Sequence, residues 1–235
     1  MKAMILSAGR GERMRPLTDT LPKPLLEVHG KPLIVWHIEK LKICGFEEII
    51  INIAHFGYKI KNFLGDGSQY GIKITYSDEQ QEGALESAGG IIKALPLLGE
   101  KPFLVVNGDI FCDYDFNPNF ELHKSLAHLI LVPNPEHNPH GDFGLDETFV
   151  LNEAEIKYTF SGISYYNSKF FEGLSPKKIA LAPLLRETIQ HQKVSGELFY
   201  KEWHDIGTPQ RLENINREKD DKNSFSVNDY NTFVG

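Results

Sequence analysis

Only two of the 235 residues are cysteine and only two are tryptophan. Cys44 and Cys112 are too few for a disulfide framework or a cysteine-built zinc site. Basic residues are also outnumbered: 25 Lys and Arg stand against 32 Asp and Glu, a net charge of −7. That balance excludes a general affinity for nucleic acid or an anionic membrane surface. No apolar run is long enough to span a bilayer, and Met1-Lys2-Ala3 leads directly into the first apolar run with no leader pattern. These absences predict a soluble cytoplasmic enzyme whose partners are small molecules, with any positive charge that matters confined to one place.

What is present is an alternation of short apolar runs and longer amphipathic stretches. Strands are expected over 2–7, 48–53, 72–76, 103–106 and 127–132, and helices over 32–44, 58–64 and 85–95. Glu48-Ile49-Ile50-Ile51-Asn52-Ile53 is nearly continuous and β-branched, the pattern of a strand buried on both faces. This βαβαβ order predicts an α/β domain: a Rossmann-like, mainly parallel sheet covered by helices on both faces. After Pro133 the chain changes. Residues 134–141 form a polar, proline-rich loop, and 143–167 alternate like antiparallel strands with a hairpin turn near Asn152-Glu153. Helices return over 181–192 and 208–219, with a strand from Val194 to Trp203 between them. Residues 1–219 thus read as one domain, divided into portions 1–132 and 133–219, followed by a polar, loosely held tail over 220–235.

The scarce positive charge gathers in residues 6–24, Leu-Ser-Ala-Gly-Arg-Gly-Glu-Arg-Met-Arg-Pro-Leu-Thr-Asp-Thr-Leu-Pro-Lys-Pro. Gly9 and Gly11 lack a β-carbon, so the backbone can turn its N–H groups onto an anion. Arg10, Arg13, Arg15 and Lys23 supply four cations in the same loop. It is not a Walker A loop, because no Lys-Ser or Lys-Thr follows the second glycine. It is not the dinucleotide fingerprint, because Met14 stands where the third glycine would fall. Arg10 and Arg15 are equally readable as solvated loop cations.

The continuation Arg13-Met14-Arg15-Pro16-Leu17-Thr18 and Pro22-Lys23-Pro24 resembles the signature of the sugar-nucleotidyltransferases. These enzymes join a nucleoside triphosphate to a sugar 1-phosphate and release pyrophosphate. The resemblance implies the nucleotide-diphospho-sugar transferase fold, with a small antiparallel sugar-binding portion beside the nucleotide-binding sheet. It implies that the backbone from Ala8 through Gly9 and Gly11 to Glu12 cradles the triphosphate. Arg13 would hold the departing β and γ phosphates, and Lys23 would neutralise the α-phosphate and the attacking sugar phosphate. Asp109, in Asn107-Gly108-Asp109 at a strand's carboxyl end, would bind Mg²⁺ with Asp205 of His204-Asp205-Ile206-Gly207-Thr208.

Gly89, in Glu86-Ser87-Ala88-Gly89-Gly90, would admit the nucleoside, although a plain packing role is as readable from the residues alone. Asn107, Asp142 and Gly162 would meet the sugar. The segments 141–143, 159–163 and 181–186 look like one branch of the family, the bacterial N-acetylmuramate-1-phosphate uridylyltransferases of cell-wall recycling. On that resemblance the substrates are UTP and N-acetylmuramic acid 1-phosphate, and the short chain implies a monomer or weak dimer. Mannose-1-phosphate guanylyl transfer and glucose-1-phosphate thymidylyl transfer are the alternatives; a non-catalytic nucleotide sensor is a further one. Asp113-Tyr114-Asp115 resembles the metal motif of glycosyltransferases but reads better as loop, and His137 and His140 as solvated histidines.

Overall fold

The strands carry apolar side chains on both faces, and the architecture follows from that need for cover. The computed structural model describes residues 1–228. In chain order the strands are β1 (Lys2–Leu6), β2 (Glu27–Val28), β3 (Lys31–Pro32), β4 (Glu48–Ile53), β5 (Lys73–Asp78), β6 (Phe103–Asn107), β7 (Ile110–Cys112) and β8 (Ala127–Val132). They continue with β9 (Gly144–Asp146), β10 (Phe149–Leu151), β11 (Thr159–Tyr166), β12 (Val194–Leu198) and β13 (Trp203–Asp205). The α-helices are α1 (Leu33–Ile43), α2 (Gly57–Leu64), α3 (Glu86–Leu98), α4 (Leu181–Gln190) and α5 (Pro209–Asn228).

Nine strands form one sheet in the order β5-β4-β1-β6-β11-β8-β12-β10-β9. The pairs from β5 to β6 are parallel, as is β8 with β12. β11 runs against both β6 and β8, and β10 against both β12 and β9. Two reversals restore direction, so only β11 and β10 oppose the rest of a mixed, mainly parallel sheet. Successive residues of each central strand enter opposite clusters, as a period of two requires. Ile5, Ile49, Ile51 and Val106 pack under α1 and α2, while Met4, Ile50, Val105 and Leu129 pack under α3 and α4. A third cluster joins Met14 of the cationic loop to Ile206, Leu212 and Ile215, so α5 braces that loop from outside the sheet.

Three expectations need correction. The tight hairpin lies at Glu147-Thr148, between β9 and β10, with Glu147 in the left-handed region at φ 49°. Asn152-Glu153 instead opens a connection to β11, which does not pair with β10 but enters the middle of the sheet. The single strand expected over Val194 to Trp203 is two: β12 in the main sheet and β13 in a separate ribbon with β7. Finally, helix α5 runs to Asn228, nine residues past the expected end at 219. The remainder of the expected tail, 229–235, lies outside the described residues.

Candidate active site

The cationic loop leaves the carboxyl end of β1, where parallel strands present their termini to a ligand. Its first turn is set by a buried polar relay. The Ser7 N–H donates to Asn52 Oδ1 at 2.7 Å, Asn52 Nδ2 donates to Glu79 Oε1 at 2.7 Å, and Glu79 Oε2 accepts the Leu85 N–H at 2.9 Å. Burial raises the pKa of Glu79, with these hydrogen bonds opposing the rise. Gly90 is needed here, because a β-carbon would stand 2.7 Å from Glu79 Oε1 and 2.8 Å from Asn52 Nδ2. Further along, Gly11 takes φ +65° and its carbonyl accepts Thr18 Oγ1 at 2.7 Å, closing the loop on itself. The fully buried Met14 then anchors the turn Glu12–Met14 and leaves Arg13 exposed. Gly9, Gly11, Glu12 and Arg13 line a cleft of about 810 Å³, and Ala8 an adjoining cavity of about 220 Å³.

Lys23, Asp109 and Asp205 converge from three parts of the chain. Lys23 sits in a short 3-10 turn, Lys23–Leu25, entered through Pro22. Its Nζ donates to Asp109 Oδ2 at 2.7 Å, and both residues line the two cavities. Asp109 follows β6 through Gly108, whose bare Cα lets the chain approach β1: a β-carbon there would meet the Leu6 carbonyl at 2.6 Å. The β7–β13 ribbon pairs Asp205 with Ile110, and Ile206 N–H donates to the Asp109 carbonyl at 2.8 Å. The ribbon therefore brings the two carboxylates to neighbouring positions.

Asp205 Oδ2 accepts Arg211 Nη1 at 2.7 Å and lies 3.2 Å from His137 Nε2, while its Oδ1 is buried with no partner. A buried carboxylate oxygen without a partner, on a strand that neighbours Asp109, suits a hard divalent cation that completes its shell with phosphate oxygens and water. Among the described residues no three His, Cys, Asp or Glu gather tightly enough to hold a metal alone. His137 and His140, expected to be solvated, are both exposed, although His137 also reaches Asp205 from loop 134–141. Asp113 and Asp115 are tied to Lys40 at 3.1 and 2.8 Å, away from the cleft. Arg15 pairs with the exposed Asp19 at 3.4 Å, whereas Arg10 lines the cleft.

Of the residues expected to meet the sugar, Asn107 and Asp142 line a third cavity of about 460 Å³ that shares Glu86, Ser87 and Asn107 with the first, and Gly162 does not. Asp142 lines it, oriented by the Phe160 N–H, which donates to its Oδ2 at 2.8 Å. Two expected ligand residues have packing reasons to be glycine. Gly162, at φ +81°, gives room to the Asn107 side chain, whose Nδ2 would stand 2.6 Å from a β-carbon. Gly89 lines none of the three cavities: its N–H donates to the Ile179 carbonyl at 3.2 Å, and a β-carbon would overlap the Lys177 carbonyl oxygen. The strap 177–179 thus crosses the start of α3 directly over Gly89. Asn52, Glu79 and Arg211 went unnoticed in the sequence. Only Asn52 carried a signal there, as an amide inside an apolar strand.

The family model described as "Nucleotidyl transferase" matches residues 2–222. The chain is 52% identical over 226 residues to an N-acetylmuramate alpha-1-phosphate uridylyltransferase of Neisseria meningitidis serogroup B, covering 90% of this chain and 95% of that protein. It is 38% identical over 229 residues to a mannose-1-phosphate guanyltransferase of Gibberella zeae, covering 89% of this chain but 61% of that protein. A crystal structure described as a candidate glucose-1-phosphate thymidylyltransferase from Bacillus anthracis shares the fold. Its TM-score is 0.81 at 24% identity, over 93% of this chain and 94% of that one.

Proposed function

Because the chain belongs to the nucleotidyl transferase family, we propose that it joins UTP to N-acetylmuramic acid 1-phosphate, forming UDP-N-acetylmuramic acid and pyrophosphate. The similarity to the meningococcal uridylyltransferase over nearly the full length of both chains supports the choice of substrates. One observation supports the reaction class: Lys23 and Asp109 are paired in a cleft walled by a glycine-arginine loop, with Asp205 on the neighbouring strand.

The sugar 1-phosphate is already ionised at neutral pH, so its attack on the α-phosphorus needs no general base. What the protein must do is align the two phosphates and offset their repulsion. Lys23 spends one N–H on Asp109 and keeps two donors for the α-phosphate and the incoming phosphate. Arg13, exposed on the opposite wall, receives the charge that develops on the β and γ phosphates. Ala8, Gly9, Gly11 and Glu12 offer the backbone of the cradle, and residues 1–132 form the nucleotide portion. Asp109 and Asp205 would hold Mg²⁺, which when bound screens the charge of the triphosphate. Asp142, in the portion 133–219, and Asn107, at the end of β6, bind sugar hydroxyls, with Gly162 acting through the room it leaves Asn107. The cellular role that fits these substrates is peptidoglycan recycling in the cytoplasm, by a monomer or weak dimer.

Pyrophosphate release from a panel of triphosphates and sugar 1-phosphates tests this. The fastest turnover is expected with UTP and N-acetylmuramic acid 1-phosphate. Fastest turnover with GTP and mannose 1-phosphate would move the protein to a sister activity. Sugar transfer without pyrophosphate release would overturn the reaction class.

A further inference from the structure

The cavity beside the nucleotide cleft has an uneven lining. Toward the cleft it is polar, with Glu86, Ser87 and Asn107; its outer wall is apolar, with Phe143, Phe160 and Leu185. One cation stands on that wall, Arg186 of α4. Its guanidinium lies over the Phe143 ring, 5.0 Å from the centroid, and Nη2 donates to the Asp142 backbone carbonyl at 3.4 Å. Asn152 Nδ2 holds the Arg186 carbonyl at 2.8 Å, which steadies the helix at this turn.

Among the described residues no carboxylate forms an ion pair with this arginine, although its charge is felt by Glu153. The Asp142 carboxylate accepts the Phe160 N–H at 2.8 Å, and Glu153 is paired with Lys157 at 2.6 Å. A stacked guanidinium with unspent N–H donors is built to take an oxyanion in its fork. The sugar's own phosphate has to lie toward Lys23 and Asp109, which this cavity does not reach. What meets Arg186 is therefore a substituent on the ring, remote from the reacting phosphate. Muramate is a glucosamine carrying a lactyl ether, that is, a methyl group and a carboxylate on one short arm. The methyl suits the apolar wall and the carboxylate suits the fork.

Given the uridylyl transfer described above, on which this assignment rests, we infer that Arg186 reads the sugar's carboxylate and selects N-acetylmuramate 1-phosphate over N-acetylglucosamine 1-phosphate. Initial rates with UTP and each sugar phosphate test it. In the unmodified chain kcat/KM favours the acidic sugar. In Arg186→Met that preference falls roughly 10- to 100-fold, the worth of one hydrogen bond to a charged group, and the loss shows mainly in KM. Arg186→Lys keeps the charge without the fork and lies between the two. Raising KCl from about 0.05 to about 0.5 M weakens the preference in the unmodified chain and leaves it level in Arg186→Met. The salt series on the unmodified chain also decides the matter if the methionine variant does not fold. An unmoved preference in both experiments overturns the role of Arg186 while the reaction stands. Failure of the unmodified chain to turn over N-acetylmuramate 1-phosphate overturns the reaction and the assignment together.

Discussion

Replacing Gly89 with alanine places a methyl group in the strap that crosses α3. The new β-carbon would overlap the Lys177 carbonyl oxygen and sit 3.1 Å from its carbon, both backbone atoms that cannot rotate away. The strap must lift instead. It is held by three backbone hydrogen bonds: Ala88 N–H and Gly89 N–H both donate to the Ile179 carbonyl, at 3.1 and 3.2 Å, and Ile179 N–H donates to Leu85 at 3.0 Å. Each is worth about 1 kcal/mol net, so lifting the strap costs about 3 kcal/mol. Alanine's better helix propensity returns about 1 kcal/mol, leaving a net destabilisation of about 2 kcal/mol. The strap leads directly into Ala180–Arg186 of the sugar cavity, so KM for the sugar 1-phosphate should rise while KM for UTP stays nearly level. Urea unfolding and steady-state kinetics read both effects. A stability change under about 0.5 kcal/mol together with a rise in KM confined to UTP would refute the packing role and restore a direct nucleotide contact.

Three further outcomes are expected. Lys23→Met and Asp109→Asn should each lower turnover by roughly 10²- to 10³-fold, as for loss of one preorganised charge at a reacting phosphate. Their melting temperatures should move little, because the pair is partly exposed; near-normal rates would remove both from the mechanism. Burial pushes the imidazole of His37 down to about 4, against weaker opposition from its hydrogen bond to the Ile110 backbone and the charge of Asp109. The unfolded chain takes this proton first, so the stability is complete above pH 6.5 and is lost as pH falls from 6.5 through about 4. That interval is worth roughly 3 kcal/mol, and His37→Phe should flatten the fall in urea midpoint between pH 7 and 4.5; an identical slope in the variant would contradict it. Asp205→Asn should abolish the extra thermal stabilisation that Mg²⁺ gives in the presence of UTP, and unchanged stabilisation would place the metal elsewhere.

Local patterns carried most of what could be read before folding. The β-branched run 48–53 became a strand with those same bounds because burial on both faces leaves a continuous apolar run no other arrangement. The loop 6–24 stood out because its parts lie close together in the chain: bare glycines, clustered cations and a lysine between prolines. The pairing of β11 with β6 and β8 was not legible, since alternation shows that a strand exists and not which neighbours it joins. The break between β12 and β13 was hidden for the same reason.

The sequence by itself determined the class of fold and drew attention to the cationic loop; its resemblance to the sugar-nucleotidyltransferases pointed to Lys23, Asp109 and Asp205. Local patterns and a contiguous signature are enough to recognise these. Only the tertiary structure decided that Gly89 and Gly162 serve packing, that Asn52 and Glu79 hold the loop, and that Arg211 and His137 occupy one oxygen of Asp205. These partners lie between six and 90 positions apart, and nothing local in the chain records their meeting. Contact at that range is set by strand order and close backbone approach, which exist only once the sheet has formed.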